Sequence, residues 1–127
     1  MKITLEEITN SVSSIKKLSA FDFGMPKLNY KFINVVDTVE KESKKLIELR
    51  RKIIEKYRDN ENKDEIIIPI DKIEDFNKEM NDAGALKIEI AWEAVDVFVD
   101  SLSGFTANDM KSIDGKFINI KENEHGN

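Results

Sequence analysis

Residues 21–26, Phe21-Asp22-Phe23-Gly24-Met25-Pro26, decide the fold. Gly24 tolerates a positive φ, and Pro26 suits the first turn of a helix, where a missing N–H is not needed. The stretch therefore ends one helix and begins another. Before it, Leu5, Ile8, Val12 and Ile15 recur at helical spacing with Leu18 beside them, which predicts a first helix over 5–19. Thr4-Leu5-Glu6-Glu7 has the form of a capping box, in which the Thr4 hydroxyl accepts from the Glu7 amide and Glu7 reaches back. After the break, a second helix runs from Pro26 to about Arg58, roughly 30 residues and 45 Å at the helical rise. The two make an N-terminal helical hairpin with a long second arm.

That second helix changes along its length. Phe32, Ile33, Val35, Val36 and Val39 are dense enough for burial. From Glu40 the apolar positions thin to Leu46, Leu49 and Ile53, flanked by Ile47, Ile54 and Tyr57, and lysines and arginines fill the rest. A narrow seam of this kind packs on another part of the chain or on a second copy. Its repeat is too short for a free-standing coiled coil.

The C-terminal half is mixed. Residues 59–64, Asp59-Asn60-Glu61-Asn62-Lys63-Asp64, form a turn by composition. Ile66-Ile67-Ile68-Pro69-Ile70 predicts a strand, at an edge because of Pro69. Asp71-Lys72-Ile73-Glu74 predicts a capped start for a third helix, with Ile73, Phe76 and Met80 on one face and Gly84 at its end. Leu86, Ile88 and Ile90 alternate as a strand does. Val95, Val97 and Val99 alternate in the opposite phase and favour a further strand over 94–100, although Trp92, Val95, Val99 and Leu102 also fit a helix. Thr106-Ala107-Asn108-Asp109 starts a short helix with Met110 and Ile113 inward. The expected fold is α+β and helix-rich. One domain covers 1–127: a helical, basic half over 1–58, a mixed, acidic half over 59–120, and a flexible tail over 121–127. No internal repeat or low-complexity stretch interrupts it.

Charge follows the same division. Residues 1–58 carry 13 Lys/Arg against 8 Asp/Glu, and residues 59–127 carry 7 against 17, within a net charge of −5. The simplest account is a solvated surface whose signs segregate along the chain. The chain has no cysteine, which removes disulfides, thiol nucleophiles and cysteine-based zinc sites. Met1-Lys2-Ile3-Thr4-Leu5-Glu6-Glu7 turns acidic and amphipathic where a signal peptide is apolar, and no apolar run approaches the roughly 20 residues of a membrane span. The expected location is cytoplasmic, with no membrane partner.

The usual catalytic constellations each fail for a physical reason. The single histidine, His125, lies in Glu-His-Gly-Asn at the end of the chain, where nothing holds a base and one imidazole makes no metal site. Glu6/Glu7, Glu74/Asp75, Glu89/Glu93, Asp96 and Asp100 are available as paired carboxylates, but nothing separates their pKa values. Residues 59–70 have the outline of a calcium loop, yet Lys63 stands at the fifth position, no glycine at the sixth, and Ile70 at the twelfth. The five glycines are isolated, so no phosphate loop or nucleophile elbow exists. The sequence thus predicts no enzyme, no cofactor, no metal and no small-molecule substrate. Arg50-Arg51-Lys52 with Lys44, Lys45 and Lys56 offers cations to phosphates, but Glu40, Glu42, Glu48 and Glu55 intersperse them at helix-pairing distances. A salt-laced face is therefore expected there, and nucleic acid is not. Two aromatics and a methionine exceed what the 21–26 turn requires. Phe21, Phe23 and Met25, with Arg50 and Arg51, are the candidate protein contacts. The competing account folds both rings back over the helix junction.

Over residues 3–80 the order of features resembles small accessory proteins of phages and prophages of low-GC Gram-positive bacteria. The resemblance rests on Ile15-Lys16-Lys17-Leu18, on Met25-Pro26-Lys27-Leu28-Asn29-Tyr30-Lys31, and on Leu49-Arg50-Arg51-Lys52-Ile53-Ile54-Glu55-Lys56-Tyr57, followed by an acidic turn and a short helix carrying Phe76. It implies a phage context, in the cytoplasm of the host cell or in a virion, and assigns no functional residue. The expectation is a non-enzymatic protein that acts by protein contact or self-association, in virion assembly or as a structural component. The alternative is an inhibitor of a host enzyme or defence complex, working through an acidic or aromatic surface.

Overall fold

A computed structural model describes residues 1–122. Its helices start where the sequence places its caps. α1 (Leu5–Ala20) begins at Thr4, whose Oγ1 accepts from the Glu7 amide at 3.1 Å while Glu7 Oε1 accepts from the Thr4 amide at 3.2 Å. That backbone bond first of all holds the Glu7 carboxyl below its ordinary pKa; burial opposes it, and the Thr4 hydroxyl and Lys116 add to the lowering. α2 (Pro26–Tyr57) has its proline in the first turn, where no N–H is needed. α1 and α2 pack as the expected hairpin. Ile8, Ile15 and Leu18 of α1 meet Phe32, Val35, Val39 and Leu46 of α2, all buried.

The small strands tie the chain ends to this hairpin. β1 (Lys2–Thr4) pairs antiparallel with β2 (Lys87–Glu89), so Ile3 lies opposite Ile88. β3 (Val95–Phe98) pairs in parallel with β4 (Ile118–Lys121). A parallel pair needs a crossover, and α4 (Ala107–Ile113) lies in it. The short helix expected from Thr106 forms, and a capping box between Thr106 and Asp109 starts it. Ile113, Phe117 and Ile118 from this unit are fully buried and close the core at the α1 side. The fold is helix-rich α+β.

Several boundaries differ from the sequence reading. Ile66–Ile70 forms no strand. Pro69 lacks a donor, no free sheet edge meets the segment, and its one backbone bond to another segment is Asp59 N–H to the Ile67 carbonyl at 2.8 Å. Ile70, 90 % exposed, opens a 3-10 turn over Ile70–Lys72 instead. α3 (Ile73–Ala85) then starts at Lys72 without a side-chain cap, because that turn takes the place of the Asp71 box. The strand expected over 94–100 is limited to Val95–Phe98, and a 3-10 turn follows at Val99–Ser101. Lys121, placed with the tail in the sequence reading, is the last residue of β4. The rest of that tail from residue 123, with His125, lies outside the described residues.

Gly84 does not end α3; it lies inside the helix and is buried. A Cβ there would stand 2.6 Å from Arg50 Nη2 and 2.9 Å from Glu6 Oε2. Gly84 therefore lets α3 approach the Arg50–Glu6 ion pair that joins α2 to α1 at 2.8 Å. Both contacts are the far ends of flexible chains. Gly84→Ala is expected to be nearly neutral, since the gain in helix propensity offsets the displaced pair. Gly84→Leu is expected to push α3 off, at roughly 1–3 kcal/mol. Hydrogen exchange checks this: amides of α3 should lose protection in Gly84→Leu while those of α1 keep theirs.

Candidate functional site

The loop between α1 and α2 is locked by its own polar groups. Asp22 Oδ1 accepts from the Gly24 amide at 2.8 Å and from Asn29 Nδ2 at 2.9 Å, while Asn29 Oδ1 accepts from the Phe23 amide at 3.0 Å. The Asn29 bond, then the Gly24 bond, hold the Asp22 carboxyl below its ordinary pKa. Gly24 sits at φ +72°, a conformation that suits glycine. The loop is thus pinned to the first turn of α2.

Its two rings turn inward. Phe21 and Phe23 lie 5.4 Å apart by ring centroid, and the contacts continue from Phe21 to Phe105 and from Phe23 to Phe32, Trp92 and Phe117. Six rings make one chain from the helix junction to the C-terminal strands. Both phenylalanines are half-buried in it. Met25 does not join it and stands 54 % exposed.

The two arginines do structural duties. Arg50 reaches Glu6 at 2.8 Å and donates to the Met80 carbonyl at 3.2 Å, which ties α2 to α1 and α3. Arg51 pairs with Glu48 along the exposed face of α2, the salt-laced face that the sequence predicts. The side-chain hydrogen bond to Glu48, then its charge, raises the Arg51 pKa.

Met25 borders a surface that sequence patterns do not single out. It lines a hollow of about 790 Å³ with Pro26, Leu28 and Val95, and Lys27 and Lys31 carry this hollow into a groove of about 820 Å³. The groove lies between the first half of α2 and the segment after β2. Its floor is Val35, Ile90 and Trp92. One wall carries Lys27 and Lys31, the other Glu89 and Glu93. Tyr30 stands on the rim, 67 % exposed. Trp92 is fixed there because its indole N–H donates to the Phe117 carbonyl at 2.8 Å. Ile90 N–H binds the Met1 carbonyl at 2.9 Å, so β1 holds the far wall in place. An apolar floor between walls of opposite sign has the composition common to protein contact surfaces.

A second polar cluster joins α1 to α4. The buried Ser14 hydroxyl donates to Asp109 Oδ1 at 3.0 Å and accepts from Ser112 at 2.9 Å, and Lys17 Nζ meets Asp109 Oδ2 at 2.5 Å. The Lys17 bond first, then the Thr106 amide, hold the Asp109 carboxyl well below the usual carboxylate range. Serine, lysine and aspartate together suggest nucleophilic chemistry, but Lys17 is engaged by Asp109 rather than by a hydroxyl, and Ser14 is 2 % exposed. The cluster is a latch. With Lys56–Glu79 at 3.0 Å and Lys116–Glu7 at 3.4 Å, it also shows that charges segregated in sequence are paired across the fold.

Among the described residues no group of three metal-binding side chains converges, and no helix is long and apolar enough to cross a membrane. No family model, curated protein or solved structure matches the chain.

Proposed function

We propose that this chain is a non-enzymatic protein that works by protein–protein contact, in the assembly of a virion or as a structural part of one. The phage setting comes from the resemblance carried by residues 3–80. The observation behind the contact is the pinned loop that presents Met25 at the end of a long, two-signed groove. A surface fixed before binding loses little conformational freedom on association. Tyr30 and Met25 are the side chains suited to anchor it, large and mostly exposed.

The inhibitor reading has less to draw on. Its aromatic surface, Phe21 and Phe23, is turned into the ring chain. Of its acidic groups, Asp109 is committed to the latch.

The test is affinity capture from a phage-infected lysate with the wild-type chain and with Met25→Asp/Tyr30→Asp. Both sites are exposed, so thermal unfolding should stay within about 0.5 kcal/mol of wild type. A virion component held by the wild type and lost by the double variant is the expected result. Equal retention by both proteins would remove this surface from the account.

A further inference from the structure

We infer that the occupant of the groove is a second copy of this chain, docked face to face about a two-fold axis that runs along the groove. The inference rests on the contact reading above and names its partner.

The argument is one of charge and symmetry. Lys27 and Lys31 project from the α2 wall, and Glu93 and Asp96 from the opposite side of the same continuous surface. Among the described residues, Lys27, Lys31 and Glu93 enter no ion pair, so their charges are available. Asp96 accepts only a long bond from Asn119 at 3.3 Å, and Glu89 is already shared with the Met1 ammonium at 3.2 Å. A rotation of 180° about an axis along the groove carries the basic wall of one copy over the acidic wall of the other. Both copies then gain the same pairs, as an isologous interface requires. A rotation across the groove would set lysine against lysine, so the charges select one arrangement.

The apolar surface fits the same operation. Tyr30 rises from the basic rim and would land on the segment Ala91–Glu93 of the second copy, while the rim beyond Lys31 offers Met25, Pro26 and Leu28. An apolar centre between charged rims is the usual build of a protein interface. The joined hollows run along the first three turns of α2, so the charged and apolar groups lie on one face. A groove with one sign on both walls would point to a partner of opposite charge; this one is complementary to itself.

The test is sedimentation velocity and light scattering on the full chain, with circular dichroism to verify folding. The wild type is expected to dimerise by about 100 µM, in the range of a small interface. Lys27→Glu/Lys31→Glu and Glu93→Lys/Asp96→Lys should each raise the dimer dissociation constant by about a hundredfold, and the four changes combined should restore dimerisation. A wild type that stays monomeric at that concentration overturns the inference. So does a dimer indifferent to both swaps, since it then uses another face. If the monomeric wild type still captures a virion component and Met25→Asp/Tyr30→Asp loses it, only the self-association is lost and the contact reading stands.

Discussion

Phe32→Ala is expected to cost roughly 3–5 kcal/mol and to lower the unfolding temperature by roughly 10–20 °C. Phe32 is fully buried and sits in the middle of the ring chain, 5.3 Å from Phe23 and 5.6 Å from Trp92 by centroid. Its loss leaves a cavity where α2, the 21–25 loop and the segment after β2 meet. Both flanking aromatic contacts go with it, each about 0.5–1.5 kcal/mol beyond burial. The deficit is a large part of the whole stability of a small domain, roughly 5–15 kcal/mol. Phe32→Leu, which keeps most of the volume, should recover more than half of it. Thermal or urea unfolding followed by circular dichroism measures the three proteins. If Phe32→Ala cost under about 1 kcal/mol, the ring chain would not be the centre of the core.

Asp109→Ala is expected to cost roughly 2–3 kcal/mol, from a lost cap and from the Ser14 hydroxyl left buried without its acceptor. Asp109 accepts from the Thr106 amide at 2.9 Å, from Ser14 at 3.0 Å and from Lys17 at 2.5 Å. The effect should depend on pH. The folded chain holds the Asp109 pKa well below the ordinary value of about 4. A carboxyl depressed on folding adds stability that is fully present above its unfolded pKa and is lost as pH falls toward the folded one. The gap between wild type and Asp109→Asn should therefore be widest near pH 7 and narrow steadily below about pH 4. Urea midpoints at both ends of that range decide it. A gap of equal size at each would assign the cost to shape rather than to charge.

The legible parts of this fold were those set by local chemistry. Thr4 caps where its box says, α4 starts at Thr106 as the sequence places it, and Pro26 and Gly24 mark the break between the long helices. The switch of alternation phase between Ile90 and Val95 was also meaningful, since those residues fall beside β2 and in β3, which belong to different sheets. The illegible parts depend on distant partners. Lys2–Thr4 is three residues long and is a strand only because Lys87–Glu89 lies beside it. Ile66–Ile70 has strand composition and no strand to pair with. Gly84 carries the mark of a helix end, but the close approach of Arg50 and Glu6 explains the glycine.

The proposed contact surface was legible in part. Met25 is exposed where the loop suggested a contact, while Phe21 and Phe23 are drawn into the rings and Arg50 into the junction of three helices. The groove itself was hidden because its walls are about 60 residues apart in sequence. Nothing local relates Lys27 to Glu93. Trp92 offered a signal, a single tryptophan in the break between two strands, and its position depends on the carbonyl of Phe117.

That residue also provides the most direct measurement. Trp92 is the only tryptophan of the chain, half-buried, and it forms part of the groove floor. Acrylamide quenching of its fluorescence therefore reports on whether the groove is covered. If a second copy docks there, quenching should fall as concentration rises through the range in which light scattering shows dimers, and Lys27→Glu/Lys31→Glu should remain fully quenchable throughout. Quenching that stays constant while the mass doubles would place the contact elsewhere and contradict the groove as the working face of this protein.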